Sequence, residues 1–194
     1  MKKKRIAIFA SGSGTNAENI IRFFAGSATA ETALVISNKP DAFVLERAAQ
    51  LNVKSFIFNR SDFYESDIVI KKLSDEKIDL IILAGFLWMV PAGIIKAYTN
   101  RIINIHPALL PKFGGKGMYG MKVHEQVIAS GEKESGITIH YVNENYDEGN
   151  IIFQAKCIVD KADTPEKLAE KIHILEYEYF PKVIEGVLLK EDFD

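Results

Sequence analysis

Apolar residues along this chain fall into two rhythms that take turns. Short runs occupy residues 5–10, 32–37, 54–58, 80–84 and 102–106. Between them, over 17–24, 42–51 and 63–77 and in a shorter stretch after Pro91, the apolar positions recur at helical spacing. Apolar runs separated by one-sided helices predict a parallel sheet covered on both faces. The last third changes rhythm. Residues 136–142 (GITIHYV) alternate, placing Ile137, Ile139 and Tyr141 on one face and Thr138, His140 and Val142 on the other. After the turn 143–150, residues 151–159 form a second strand, and together they predict an antiparallel end to the sheet. A helix over 123–129, stopped by Gly131, precedes them. The final helix opens at Asp163-Thr164-Pro165-Glu166, with a cap residue and an early proline, and runs through Leu168, Ile172, Leu175 and Tyr179. Pro181 is expected to interrupt it, with 183–189 resuming the packing. The expected fold is α/β: one domain over 1–194, a Rossmann-like open, mostly parallel twisted sheet with helices on both faces and an antiparallel C-terminal portion.

Two strand ends carry candidate chemistry. The first strand runs into SGSGTN, in which Gly12 and Gly14 let the backbone take positive φ and approach a ligand, while the opening N–H groups of the next helix favour an anion such as phosphate. The loop lacks the third glycine of a dinucleotide fingerprint, since Ala17 stands there, and no acidic residue closes the second strand. It also lacks the Gly-Lys-Ser/Thr of a P-loop. The run IINIHPALLP places Asn104 and His106 two positions apart, on one side of a strand that Pro107 stops. Open parallel sheets bind ligands at that carboxyl edge. A buried structural histidine and a catalytic one remain equally open readings of this run by itself. GFLWMV, residues 85–90, leaves the same edge and is either plain core or a wall for a flat ring. The glycine-rich segment 113–120 departs from the His106 end, where a mobile lid is expected. Two charged groups have ordinary readings as well: Glu144, Asp147 and Glu148 as a solvated turn, His173 and Glu176 as an exposed helical pair.

Composition narrows the setting. A chain of 194 residues that is 47% hydrophobic fills one globular domain. A formal charge of −2 argues against general binding to nucleic acid or anionic membranes, and the basic run from Lys2 to Arg5 reads as the solvated entry to a strand. The single cysteine, Cys157, excludes an internal disulfide and sits in a strand pattern as a half-buried residue. No apolar run has the length of a signal core or a membrane span, so a cytoplasmic protein is expected.

Four segments taken together are more specific than any of them: SGSGTN, LAGF at 83–86, NIHPALLP at 104–111 and HYVNENYDEGNIIFQ at 140–154. In order and across essentially the whole chain, with SNKPDAFVLERA at 37–48 and LEYEYFP at 175–181, the sequence resembles the phosphoribosylglycinamide formyltransferases, folate-dependent enzymes of purine synthesis. The resemblance implies transfer of the formyl group of 10-formyltetrahydrofolate, a co-substrate, to the amine of glycinamide ribonucleotide. It implies catalytic roles for Asn104, His106 and Asp147. It implies a ribonucleotide site at Gly12, Gly14, Thr15, Asn16, His173 and Glu176, and a folate site at Leu87, Trp88, Met89, Val90, Asn104, Asn143, Glu144, Tyr146 and Asp147. No metal is needed, and the protein is expected as a monomer or homodimer.

The reaction itself calls for such residues. Attack of an amine on a formyl carbonyl places negative charge on oxygen and positive charge on nitrogen, so the site needs a donor and a proton acceptor. His106 as a cation and the Asn104 amide are the expected donors, with Asp147 raising the His106 pKa and passing the amine's proton out through water. Trp88 stands where relatives often carry a basic residue near the folate tail, and is expected to stack on or shield the folate; the segment 114–120 is longer than usual. Related enzymes are the alternatives. A formyltransferase for initiator methionyl-tRNA would carry a further carboxyl-terminal domain and a basic surface, and a formyltetrahydrofolate hydrolase an amino-terminal regulatory domain. A sugar-nucleotide formyltransferase or a pure binding module could share the fold.

Overall fold

The computed structural model describes residues 2–190. Its centre is a seven-stranded sheet in the order β3-β2-β1-β4-β5-β6-β7, formed by β1 (Lys4–Phe9), β2 (Ala30–Ser37), β3 (Lys54–Ile57), β4 (Leu80–Leu83), β5 (Ile102–His106), β6 (Glu134–Tyr141) and β7 (Ile151–Ile158). The first five pair in parallel; β6 pairs antiparallel to β5 and β7 antiparallel to β6. The mixed sheet is the one the sequence rhythms predict.

Strand β1 shows why the parallel runs are unbroken. Ile6 and Ile8 enter one core with α1 (Thr15–Phe24), α2 (Phe43–Gln50), α6 (Met121–Ala129) and α7 (Pro165–Lys190). Ala7 and Phe9, pointing the other way, enter a second core with α3 (Arg60–Tyr64), α4 (Ile68–Asp75) and α5 (Ala92–Ala97). Residues 6–9 are at most 1% exposed, so every side chain of the strand's second half lies under a helix. Arg5, the last of the basic run, is fixed by ion pairs to Glu31 and Glu76 and by its Nε–H donating to the Glu76 carbonyl.

Two helices depart from the sequence pattern. The single helix expected over 63–77 is divided into α3 and α4. Asn59 and Asp62 form a reciprocal capping box that starts a helix at Arg60, and a fresh start follows at Ile68. The break expected at Pro181 does not occur, and α7 runs unbroken from Pro165 to Lys190. Proline takes away the N–H that would reach the Tyr177 carbonyl; the Asn19 side chain, from α1, donates to that oxygen instead at 2.9 Å. Strands β2 and β6 each begin two residues earlier than the alternation indicates.

From β1 the chain moves outward through β2 to β3, then returns to the other side of β1 for β4 and β5. The carboxyl ends of β1 and β4 therefore flank a switch point, where connections part in opposite directions and leave a crevice.

Candidate active site

That crevice opens into a cavity of about 740 Å3. Every residue that the resemblance assigns to a site lines it except Glu144, which is exposed. The site has three regions.

At one end lies the glycine loop. Gly14 is left-handed, with φ 73, and caps α1 without a side chain of its own, so the first N–H groups of the helix stay available to a ligand. A Cβ at Gly14 would come within 2.7 Å of the Val44 backbone and nearer still to its side chain, so the loop and α2 can meet only at glycine. Ser11 ties the loop to its surroundings: its hydroxyl donates to Asn38 Oδ1 at 2.7 Å and accepts from the Leu87 N–H at 3.1 Å. Glu176 joins α1 to α7, accepting from Asn16 Nδ2 at 2.8 Å and from His173 Nδ1 at 2.9 Å on the same oxygen. Glu176 is buried, so the pair is no exposed helical couple, although half of the His173 side chain meets solvent. The Glu176 hydrogen bond holds the His173 pKa above its ordinary value.

In the middle, β5 carries Asn104 and His106. His106 is 3% exposed; its Nε2–H donates to the Phe113 carbonyl at 2.8 Å and its Nδ1 faces Asp147 Oδ2 at 3.6 Å. The segment after the strand is pinned by the buried Thr138 of β6, whose hydroxyl donates to the Ala108 carbonyl at 2.7 Å and accepts from the Leu110 N–H at 3.0 Å. Asp147, in the turn 142–150, has φ 57 and accepts from the Gly115 N–H at 2.9 Å. Its side chain is mostly buried while Glu144 and Glu148 are exposed, so the charged turn is only partly a solvated one. Burial acts to raise the Asp147 carboxyl, but the facing His140 and His106 imidazoles and the Gly115 N–H outweigh it and hold the group below its ordinary value. For His106 the balance goes the other way: burial pushes its pKa down, and the Asp147 charge and the Phe113 carbonyl do not make up the loss. The expectation of a His106 imidazolium at neutral pH is therefore corrected. The cost of removing a cation from water here exceeds what one carboxylate at 3.6 Å returns, so the net shift disfavours the imidazolium.

At the far end is an apolar wall. Leu87, Trp88, Met89 and Val90 follow β4, with Val142, Asn143 and Tyr146 opposite. Trp88 packs against Phe58, Phe63 and Tyr64 with ring centroids 6.0 to 6.1 Å apart, and the Tyr64 hydroxyl donates to the Met89 carbonyl at 2.9 Å. The indole thus belongs to the aromatic core on one side and to the cavity on the other. Residues 115–120 form another wall, turned by a Met118 N–H to Gly115 carbonyl bond of 3.1 Å.

The structure adds cavity residues that the sequence patterns do not single out: Ser11, Lys39, His124 and His140. His124 is buried in α6 with its Nδ1 unpartnered, and burial lowers its pKa. His140 sits directly opposite Asn104 across the β5–β6 ladder, a pairing that becomes visible once the strand register is known. Among the described residues no three His, Cys, Asp or Glu side chains are grouped to hold a metal ion, and no helix is long and apolar enough to cross a membrane.

Comparison with known proteins identifies the family. The family described as formyl transferase matches residues 4–184. The phosphoribosylglycinamide formyltransferase of Bacillus subtilis is 38% identical, over 95% of this chain and 95% of its own length. The chloroplastic enzyme of that name from Arabidopsis thaliana is 38% identical over 98% of this chain and 67% of its own. The trifunctional purine biosynthetic protein of Drosophila melanogaster is 37% identical, and only 14% of its length is matched. Among solved structures, the phosphoribosylglycinamide formyltransferase of Bacillus halodurans superposes with a TM-score of 0.86 at 40% identity, with 96% of each chain covered. Glycinamide ribonucleotide transformylase 1 of Geobacillus kaustophilus gives 0.87 at 38% identity, over 96% of this chain and 100% of that one.

Proposed function

The chain belongs to the formyl transferase family, and from that premise we propose that it transfers the formyl group of 10-formyltetrahydrofolate to the amine of glycinamide ribonucleotide, giving formylglycinamide ribonucleotide and tetrahydrofolate. The observation that carries this reading is that His106 and Asp147, 3.6 Å apart, line one cavity together with an anion-accepting glycine loop and an apolar wall. A substrate with a phosphate at one end and an amine at the other spans from the loop to the carboxylate. A flat, largely apolar donor fits the wall and brings its carbonyl to the same point.

The ribonucleotide phosphate is taken by the N–H groups at Gly14, Thr15 and Asn16. The buried Glu176 carboxylate, held by Asn16 and His173, is an acceptor suited to the sugar hydroxyls. Leu87, Trp88, Met89, Val90, Asn143 and Tyr146 enclose the folate ring system. His106 and Asn104 provide donors for the oxygen that becomes anionic as the amine adds, the ionised Asp147 receives the amine's proton directly or through one water, and collapse of the adduct breaks the bond from the formyl carbon to the folate nitrogen, which takes that proton as it leaves.

The test is a steady-state assay with glycinamide ribonucleotide and a 10-formyl folate, following deformylated folate by absorbance beside an amine-free control. Turnover that requires the ribonucleotide, and its loss in Asp147→Asn with folate binding retained, are expected. Folate breakdown without the amine would replace this reading with a hydrolase.

A further inference from the structure

His140 does more than fill the second strand of the site. Its side chain is 2% exposed and both ring nitrogens are engaged: Nδ1 lies 2.8 Å from the Tyr141 carbonyl oxygen, and Nε2 lies 3.1 Å from Asn104 Nδ2. A carbonyl can only accept, so the ring proton is on Nδ1. In the neutral ring with its proton on Nδ1, Nε2 offers a lone pair, and the group that meets it must donate. That requirement fixes the Asn104 amide with its nitrogen toward His140, whatever the amide's own preference. Asp147 Oδ1, 3.6 Å from the same Nε2, is beyond hydrogen-bond reach and also has no proton to give. Only a proton on Nε2 would turn the ring's allegiance from Asn104 to Asp147.

The backbone is built to hold this ring in place. The β6–β7 ladder shifts register between Ile139 and His140: Ile139 pairs with Phe153 and His140 with Ile151, leaving Ile152 as an extra residue on β7. Such bulges re-aim a side chain beside a site. Gly149 then passes so close that a Cβ there would stand 1.7 Å from the Tyr141 carbonyl oxygen, the acceptor of the His140 Nδ1 proton. The Tyr141 N–H donates to the Asn150 carbonyl at 2.9 Å, so the acceptor is clamped along the chain as well.

We propose that His140 is a positioning residue for formyl transfer, acting through Asn104: its Nε2 lone pair orients the Asn104 amide so that Oδ1 and the second Nδ2 proton stand fixed toward the reacting atoms. The proposal rests on the transferase reading for its kinetic consequence but not for its chemistry, and the tests separate the two. In the free protein, nitrogen NMR is expected to show His140 with a protonated Nδ1 and an unprotonated Nε2. The Asn104 side-chain amide signal is expected to move in His140→Leu, which cannot accept, and to return toward its original position in His140→Gln, whose Oε1 can. A proton on Nε2 in the wild type, or an Asn104 signal indifferent to both variants, overturns the proposal whether or not the protein is a transferase.

In the assay above, His140→Leu is expected to lower kcat about 10- to 100-fold, the range for an outer partner that orients a reacting group, with KM for the ribonucleotide changed by less than about threefold. His140→Gln is expected to recover most of the loss. In an Asn104→Ala background, His140→Leu is expected to cost no further activity, because the two side chains act as one unit. Full additivity of the two losses, with thermal melting showing each variant folded, overturns it.

Discussion

His106 and Asp147 face each other at 3.6 Å, yet burial outweighs the carboxylate and holds the imidazole's pKa down. The sequence places the two residue types and even their side of the sheet, because alternation in IINIH is local. It does not contain the solvent excluded from His106, which is supplied by residues 113–115 and by β6, and so the sign of the pKa shift was beyond it. Two outcomes follow. NMR titration is expected to find His106 protonating below the ordinary histidine value of about 6.5, and lower again in Asp147→Asn, since the lost negative charge is one of the few influences raising it. A His106→Asn protein is expected to stay folded and lose about 10²- to 10³-fold in kcat, the typical effect of removing one oxyanion donor; turnover at the wild-type rate would remove His106 from the mechanism.

Elements meet through contacts that local patterns do not announce. The glycine loop was recognisable from SGSGTN. The reason Gly14 admits no other residue lies 30 positions away in Val44, whose backbone and side chain occupy the space a Cβ would need. Gly14→Ala is therefore expected to cost about 1–3 kcal/mol through a left-handed backbone and an overfilled contact. It should weaken ribonucleotide binding more than folate binding, as calorimetry with each ligand can show. Pro181 gives the converse case. Read alone it signals a break, but Asn19 satisfies the carbonyl that proline leaves, and one side-chain hydrogen bond both preserves α7 and fastens it to α1. Asn19→Ala is expected to lower the melting temperature by an amount equivalent to about 0.5–1.5 kcal/mol, the net contribution of one hydrogen bond; no change in melting would show that water replaces the amide. The division into α3 and α4 was written in Asn59-Arg60-Ser61-Asp62, a start signal that a stretch of helical spacing overshadowed.

The mixed character of the sheet emerged from the sequence because covering both faces of a parallel sheet leaves a rhythm that few other arrangements share; the strand order came only with the structure. The depth of the cavity did not, since it depends on the switch point between β1 and β4 and on turns from three other connections. Burial of neutral histidines in that depth affects the whole molecule. His106 and His124 both protonate less readily folded than unfolded. The unfolded chain therefore binds more protons as the pH falls below the unfolded value of about 6.5, and folding stability declines from there. His173 opposes this: its raised pKa contributes stability that is complete below about 6.5 and is lost as pH rises through the folded value, but its half-exposed side chain makes that contribution the smaller. The melting temperature is expected to fall on acidification below about pH 6.5, less steeply in His124→Gln, and a flat profile in the wild type would contradict the burial account. One last property belongs to β5, which runs parallel with β4 on one side and antiparallel with β6 on the other. On the proposed reading the acceptor's phosphate and sugar meet α1 and α7 and the one-carbon donor meets segments after β4 and β6, while β5, at the seam, carries Asn104 and His106 into the cavity between them. Descendants of such a molecule can exchange one substrate without re-inventing the other, so long as the seam is inherited unchanged.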